Sequence, residues 1–396
     1  MNLPKILVLT TTYPASETDW EGSFIHNLVL ALGKTGFELE VIAPSNGQWY
    51  GSRSIDGVKV TRFGYFWPRS LERLTKGAGG IPENMSKYFL ARAQVIPMMA
   101  LFFLKSLMPV RRADAIYANW MGAGLVGSML SRIFGKPMVV SFRGDDGYLA
   151  RDNRLWRIFT KFVLRQAYFV TVVNSELLEI MRSLGASSSK LGIPRFGVDN
   201  KVFFPAIKKR NTDTTVKIIF VGSLIPKKGL QDLINALADP RFRGISLTIV
   251  GDGYHSDYLK RLAKEKLSHC EVEWKGLTPP REVAKLMRES DILALPSYTE
   301  GSPNVVKEAM ATALPVISTT VGGIPELICH NRTGLLYKPG DIGALQDCLS
   351  RLVSDPLLRR EMGRLSKNVL DEAGLNWDTT ALDFAEIFSR ALRQKA

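Results

Sequence analysis

The sequence predicts an α/β protein of two doubly wound, Rossmann-like domains. Three observations lead there. Short apolar runs alternate with helix-length segments along most of the chain, a polar, charged stretch interrupts that alternation, and 396 residues exceed one ordinary core. Lys5–Thr11 is an apolar, β-rich run, followed by the loop Tyr13–Ser23, a helical pattern over Phe24–Gly33 and a second strand at Glu38–Ala43. A βα loop of that length tends to be functional when ordered. Ala115–Asn119, a helix to Phe134 and a strand over Pro137–Phe142 repeat the βαβ theme. Val170–Val173 then leads through Asn174-Ser175-Glu176 into a capped helix.

The interruption, Lys208-Lys-Arg-Asn-Thr-Asp-Thr-Thr215, is the linker candidate. After it come a strand at Lys217–Val221, a helix over Gly229–Ala238, a strand at Ser246–Val250 and a helix over Tyr258–Leu267. Strands at Val272–Trp274, Ile292–Leu295 and Val316–Ser318 follow, with helices between. Domains are therefore expected over 1–207 and 208–376, with a helical pattern from Trp377 to Ala396. Ligands of such domains sit at the carboxyl ends of the strands.

Composition narrows the function classes. Hydrophobic residues make up 45% and charged residues 23%, the profile of a globular protein. Net charge is +14, and the excess is local: residues 53–112 hold eleven Lys/Arg against three Asp/Glu. That predicts an anionic partner for the N-terminal half. Nucleic acid is not expected, because the basic residues are not interleaved with an aromatic stacking motif. Peripheral contact with an anionic membrane is the alternative. The apolar run Val95–Leu104 contains Pro97 and ends at Lys105, which reads as too short to span a bilayer. Flanked by Arg92, Arg111 and Arg112, it can lie in a membrane interface or be a buried helix.

Cys270, Cys329 and Cys348 show no C-x-x-C spacing, and His26, His255, His269 and His330 are scattered, so neither a disulfide framework nor a zinc site is expected. With Ile6–Thr10 too short for a signal peptide, the expected location is the cytoplasm, with peripheral contact at the inner face of the plasma membrane.

The segment Glu300-Gly-Ser-Pro-Asn-Val-Val-Lys-Glu308 carries the most chemistry. It follows an apolar strand, with Ser302 as expected N-cap and Pro303 as expected first helical residue. The helix start offers the amides near Asn304 and Val305 to an anion, and Glu308 leans back toward that end. A phosphate on the amides and a polyol on a carboxylate would suit a nucleotide sugar; a capped surface helix would look the same by itself. Val221-Gly-Ser-Leu-Ile-Pro-Lys-Lys-Gly229 closes the first strand after the linker, where Lys227 and Lys228 can neutralise a diphosphate. Gly251-Asp-Gly253 and Val321-Gly-Gly-Ile-Pro-Glu326 close two more strands. Gly122-Ala-Gly-Leu-Val-Gly127 is a literal G-x-G-x-x-G, but small residues easing a helix against a sheet give the same pattern.

Taken in order from Val216 to Leu336, these motifs resemble the donor domain of the GT4 family, retaining glycosyltransferases of the GT-B fold, two Rossmann-like domains facing a central cleft. The likeness extends more thinly to Gly22 and Ser141-Phe-Arg-Gly-Asp-Asp146. It implies transfer of a sugar from a UDP- or GDP-linked donor to a glycan or lipid-linked acceptor in cell-surface polysaccharide or glycolipid biosynthesis. It implies Glu308 on the ribose hydroxyls and Glu300 against the sugar ring near the reacting carbon. Ser302, Asn304, Val305 and Lys228 would hold the diphosphate, with Gly222, Ser223, Lys227, Gly251 and Gly301 lining the site. Gly276 and Leu277 would face the nucleobase, and Gly22 would make room for phosphate or acceptor. Arg143 and Asp146 are placed with the catalytic groups, and the C-terminal helix would cross back onto the N-terminal domain. Two positions depart from the pattern: Ser223 stands where the family often has arginine, and Arg143 where it has histidine. No Asp-x-Asp occurs, so a metal-independent reaction without cofactor is expected, with Lys228 and the helix amides on the leaving group. An epimerase of the same fold, or a non-catalytic subunit of a polysaccharide assembly complex, are the alternatives.

Overall fold

The computed structural model describes residues 3–16, 22–76, 80–206 and 215–394. The chain divides into two compact units, one of residues 1–196 with 377–396 and one of residues 197–376. The expected linker lies outside the described residues apart from Thr215, as do residues 17–21 of the long first loop.

The first unit holds strands β1 (Lys5–Leu9), β2 (Glu38–Pro44), β3 (Gly51–Ile55), β4 (Val58–Phe63), β5 (Ala115–Asn119), β6 (Met138–Phe142), β7 (Phe169–Val172) and β8 (Leu191–Gly192). Its helices are α1 (Ser23–Gly33), α2 (Gly80–Lys87), α3 (Phe89–Ala93), α4 (Val95–Arg112), α5 (Trp120–Phe134), α6 (Asp145–Asp152), α7 (Arg154–Gln166) and α8 (Ser175–Ser183). Among the described residues the strands form one sheet in the order β3-β4-β2-β1-β5-β6-β7-β8, parallel except where β3 runs against β4. The β3–β4 hairpin is absent from the sequence reading, although Asp56-Gly57 closes it with φ of 48° and 80°, the left-handed pair that a two-residue hairpin turn demands. Asn174 caps α8 as expected, its side chain accepting from the Leu177 amide.

The second unit holds β9 (Lys217–Val221), β10 (Ser246–Val250), β11 (Glu271–Gly276), β12 (Ile292–Leu295), β13 (Val316–Thr319) and β14 (Gly334–Tyr337). Between and after them lie α9 (Leu230–Leu237), α10 (Ser256–Lys266), α11 (Pro280–Glu289), α12 (Asn304–Ala311), α13 (Ile324–Leu327), α14 (Ile342–Ser354) and α15 (Pro356–Glu372). Its sheet is wholly parallel, in the order β11-β10-β9-β12-β13-β14. The central strands are buried along their length, which is why they read as apolar runs without alternation.

The last helix, α16 (Trp377–Arg393), lies on the first unit against α1. Phe384 and Phe388 pack on Tyr117 with ring centroids 5.2 and 5.8 Å away, and Arg195 Nε donates to Asp383 at 3.0 Å.

Two readings are corrected. Ser302 is not the N-cap of α12: Pro303 is, with extended backbone at φ −68°, ψ 120°, and no side chain among the described residues caps the helix. Proline therefore stands just before the first turn rather than in it. The apolar segment around Val95 is also longer than read, because helix Phe89–Arg112 is long and apolar enough by composition to cross a membrane. Pro97 sits in the first turn of α4, where its missing N–H costs nothing, so the helix runs on past Lys105. One side of α4 is packed into the unit through Met98, Phe102 and Val110, which makes it a surface helix of an α/β layer.

The G-x-G-x-x-G segment lies inside α5. A side chain at Gly124 would press on Val140 at 3.2 Å and one at Gly127 on Met138 at 2.7 Å. These glycines let helix and sheet approach, the packing reading of that motif.

Candidate functional site

In each sheet the chain winds outward in two directions from one point. In the second unit that point lies between β9 and β12, so the loops leaving their carboxyl ends diverge and open a crevice. The expected site residues fall on those loops. After β9 come Gly222 and Ser223, then a 3-10 turn over Pro226–Lys228. After β12 come Ser297, Tyr298, Glu300, Gly301 and Ser302, leading into α12 with Asn304, Val305 and Glu308. Gly251 follows β10, and Gly276-Leu277 ends the edge strand β11.

Lys228 and Glu300, seventy-two residues apart in the chain, meet across this crevice. Lys228 Nζ donates to Glu300 Oε1 at 2.6 Å, and Ser297 Oγ donates to the same oxygen at 2.7 Å. The glutamate side chain is 7% exposed and the lysine 21%, so the pair is largely withdrawn from water. Tyr298 fixes the lysine turn from behind: its amide donates to the Lys227 carbonyl at 2.8 Å and its hydroxyl to Asp232 at 2.7 Å. That bond to Asp232 pushes the tyrosine up to about 12, while burial raises the aspartate. Ser297, Tyr298 and Asp232 were missed in the sequence. The signal available for the first two was their position directly after a buried strand.

Glycines set how closely these loops approach. Gly229 has φ +71°, and a Cβ there would lie 1.9 Å from the Pro296 carbonyl oxygen; Gly322 has φ +53°, and its Cβ would lie 1.8 Å from the Glu300 carbonyl oxygen. A Cβ on Gly251 would stand 1.9 Å from the Gly222 carbonyl oxygen. At Gly222 itself a Cβ would make ordinary contact with Phe220 at 3.5 Å, so the protein's own packing does not demand glycine there.

Glu308 is different in kind from Glu300. Its half-buried carboxyl has no hydrogen-bond or ion-pair partner among the described residues, and burial pushes it up to about 7, with Lys307 opposing. A carboxyl withdrawn from water without a partner is one that a ligand hydroxyl can satisfy. The first-turn amides of Asn304 and Val305 have no intrahelical acceptor, and they lie on the same helix. Leu277 is exposed beside Gly276, whose carbonyl accepts from the Gly251 amide at 2.8 Å.

Gly22, Arg143 and Asp146 belong to the first unit, around its own reversal point between β1 and β5. Gly22 caps α1 at φ +75°, with Thr12 O and Tyr13 Cα 3.1 Å from where a Cβ would be. Arg143 follows β6. Its guanidinium donates to Asn119 Oδ1 at 3.2 and 3.1 Å and to the Tyr117 hydroxyl at 3.1 Å, and lies 4.8 Å from the ring centres of both Phe24 and Phe196. No carboxylate pairs with it among the described residues. Asn119 Nδ2 is buried without a hydrogen-bond partner among the described residues, and the next residue, Trp120, sits at φ +66°. A charged group held by neutral oxygens beside an unsatisfied amide and a strained backbone marks a place for an anion or polyol.

Asp146 serves this group structurally. It accepts from the amides of Arg143, Gly144 and Met121 at 3.1, 3.2 and 3.2 Å, and burial pushes it up to about 6. His26, read as scattered, is in fact buried between the Tyr13 hydroxyl and Asp56, each at 2.7 Å, tying the first loop to the β3–β4 turn.

Residues 204–369 match the family model described as "Glycosyl transferases group 1", and residues 22–193 match "Glycosyl transferase 4-like domain". The chain belongs to this GT4-type glycosyltransferase family. A D-inositol 3-phosphate glycosyltransferase of Pseudarthrobacter chlorophenolicus is 29% identical over 72% of this chain and 72% of its own length. A glycogen synthase of Mycobacterium tuberculosis is 25% identical over 98% and 95%. Among solved structures, sucrose-phosphate synthase from Thermosynechococcus elongatus superposes with a TM-score of 0.80 at 19% identity, covering 99% of this chain and 100% of that one. Anabaena Alr3699/HepE in complex with UDP-glucose does so at 0.74 and 18%, covering 98% and 99%. The glycosyltransferase thus has the GT-B fold of two Rossmann-like domains, and it transfers sugar.

Proposed function

We propose that this glycosyltransferase takes its sugar from a nucleotide diphosphosugar and transfers it, with retention of configuration, to a glycan or lipid-linked acceptor of cell-surface polysaccharide or glycolipid. The observation that carries this is the Lys228–Glu300 pair at the reversal point of the second sheet, beside the open amides of α12. UDP is the favoured nucleotide, since the Anabaena neighbour is described in complexes with UDP and with UDP-glucose.

In this reading Glu308 accepts from the ribose hydroxyls, and the amides of Ser302, Asn304 and Val305 receive the diphosphate. Lys228 lies between Glu300 and the phosphates, so the charge that appears on the leaving oxygen meets a cation already in place. Glu300, held by Lys228 and Ser297, faces the sugar. The bond from the anomeric carbon to the phosphate oxygen breaks, and the nucleoside diphosphate leaves with the electron pair. The acceptor oxygen bonds to the same face of that carbon, and its proton passes to the departing phosphate. Gly276 and Leu277 border the base. Arg143, positioned by Asp146 in the first unit, serves the acceptor.

The test is a panel of nucleotide sugars incubated with the protein and read by mass spectrometry for hydrolysis and transfer, with and without EDTA. One UDP- or GDP-sugar is expected to be consumed with retention at a rate that chelation leaves unchanged. No turnover of any nucleotide sugar, or epimerised donor without transfer, would overturn the reading.

A further inference from the structure

Helices α4, α5 and α7 lie side by side on one face of the first sheet, with α5 between the others. They belong to the crossovers that carry the chain across the sheet in one direction, from β4 through β5 and β6 to β7, and right-handed crossovers in one direction stack on one face. Their inner sides are core. Among the described residues nothing covers their outer sides.

On α4 the outward positions Ile96, Ala100, Leu104 and Met108 recur every fourth residue, and three of them are 79%, 56% and 57% exposed at Ile96, Leu104 and Met108. Only 28% of the apolar window in Phe89–Arg112 is buried. Ile133 on α5 and Leu155 and Ile158 on α7 extend this apolar surface, exposed by 61%, 59% and 56%. A monomer has no reason to show water so much branched aliphatic surface on three adjacent helices.

The charge on the same helices has one sign. Over α4, α5 and α7 there are eight Lys/Arg and no Asp or Glu. Lys105, Arg132, Arg154, Lys161 and Arg165 pair with no carboxylate among the described residues. A protein partner would have to be both strongly acidic and apolar, whereas an anionic bilayer presents phosphates above acyl chains in that order.

We propose that the outer face of α4, α5 and α7 is the surface by which this protein lies on an anionic lipid bilayer. Leu104, Met108, Ile133 and Ile158 enter the interface, and the lysines and arginines around them meet the headgroup phosphates. The surface differs from the one legible in the sequence: residues 53–112 supply only α4, while α7, with Arg154, Lys161 and Arg165, lies beyond that window. The inference does not depend on which donor the enzyme uses.

Vesicle flotation tests it, with phosphatidylcholine alone and with one third phosphatidylglycerol, at low and high salt. The full chain is expected to float with the anionic vesicles only, and to be released by salt. The variant R154Q/K161Q/R165Q is expected to lose about fivefold per charge, on the order of 100-fold in partitioning. L104S/I158S is expected to lose binding at low salt as well, because its defect is apolar. Unchanged nucleotide affinity in both variants shows that they are folded. Equal flotation with neutral vesicles, or variants that bind as the parent does, would overturn the proposal. So would a dimer, seen by sedimentation, that these same substitutions dissociate, since the face would then belong to a second copy.

Discussion

Glu308→Gln keeps the shape of the side chain and removes its charge. Burial shifts this carboxyl from the ordinary 4.5 up to about 7. The folded unit therefore holds a proton that the unfolded chain has released, across the window between those values. Stability from this group is complete below the lower value and is lost as pH rises through the higher one. At about 1.4 kcal/mol per pH unit the shift corresponds to about 3 kcal/mol, and partial solvent contact brings it to on the order of 2 kcal/mol. Glutamine has nothing to ionise. Near pH 8 the variant is expected to be the more stable protein by that amount, which raises the melting temperature of a unit this size by about 4–8 °C. Near pH 4 the two should melt together. Nucleotide affinity moves the other way: an ionised acceptor for two ribose hydroxyls is replaced by a neutral amide, a loss of about 10- to 100-fold. Calorimetric melting and nucleotide titration at both pH values measure the two effects. A variant that melts lower than the parent at high pH, or binds nucleotide equally well, would refute the assignment of Glu308 as a ligand-directed carboxylate.

Lys228→Met leaves Glu300 buried without its cation, and is expected to lower turnover by about 10²- to 10³-fold while nucleotide still binds; steady-state kinetics beside UDP titration check it, and turnover within threefold of the parent would confine the lysine to a structural role. Gly322→Ala forces a Cβ against the Glu300 carbonyl at positive φ, so a loss of about 3 kcal/mol or more and collapse of donor binding are expected in melting and titration experiments. Arg143→Lys loses the planar contact with Phe24 and Phe196 and one donor to Asn119. A fall in kcat/KM of about tenfold at unchanged nucleotide affinity is expected from transfer assays.

Most of the strands could be located in the chain because central strands of parallel sheets are buried on both sides and show as unbroken apolar runs. The donor motifs were legible for the same reason, since each closes such a run with glycine. What escaped depends on contacts between distant residues. Ser297 looks like any polar residue after a strand until β9 brings Lys228 to the glutamate it serves. His26 meets Tyr13 and Asp56 only because the β3–β4 hairpin folds beside the first loop. The start of α12 was misplaced because a serine before a proline satisfies the capping pattern, while the backbone at Pro303 is still extended. The basic, apolar outer side of α7 was passed over since its core-facing residues give an ordinary amphipathic helix, and only its neighbours make the outer side one surface.

The close approaches at Gly229, Gly251 and Gly322 have a consequence for anyone altering this enzyme's choice of donor. Each joins the backbone of one loop to that of another with no side chain between. Grafting a single loop from a relative would bring in half of a matched seam, and the chimera should fail at the seam before its specificity can be read. The productive unit of exchange is the set of loops from Gly222 to Gly229, Gly251 to Gly253, Pro296 to Gly301 and Val321 to Gly323, moved together; within one set, recoding is limited to side chains that project from it.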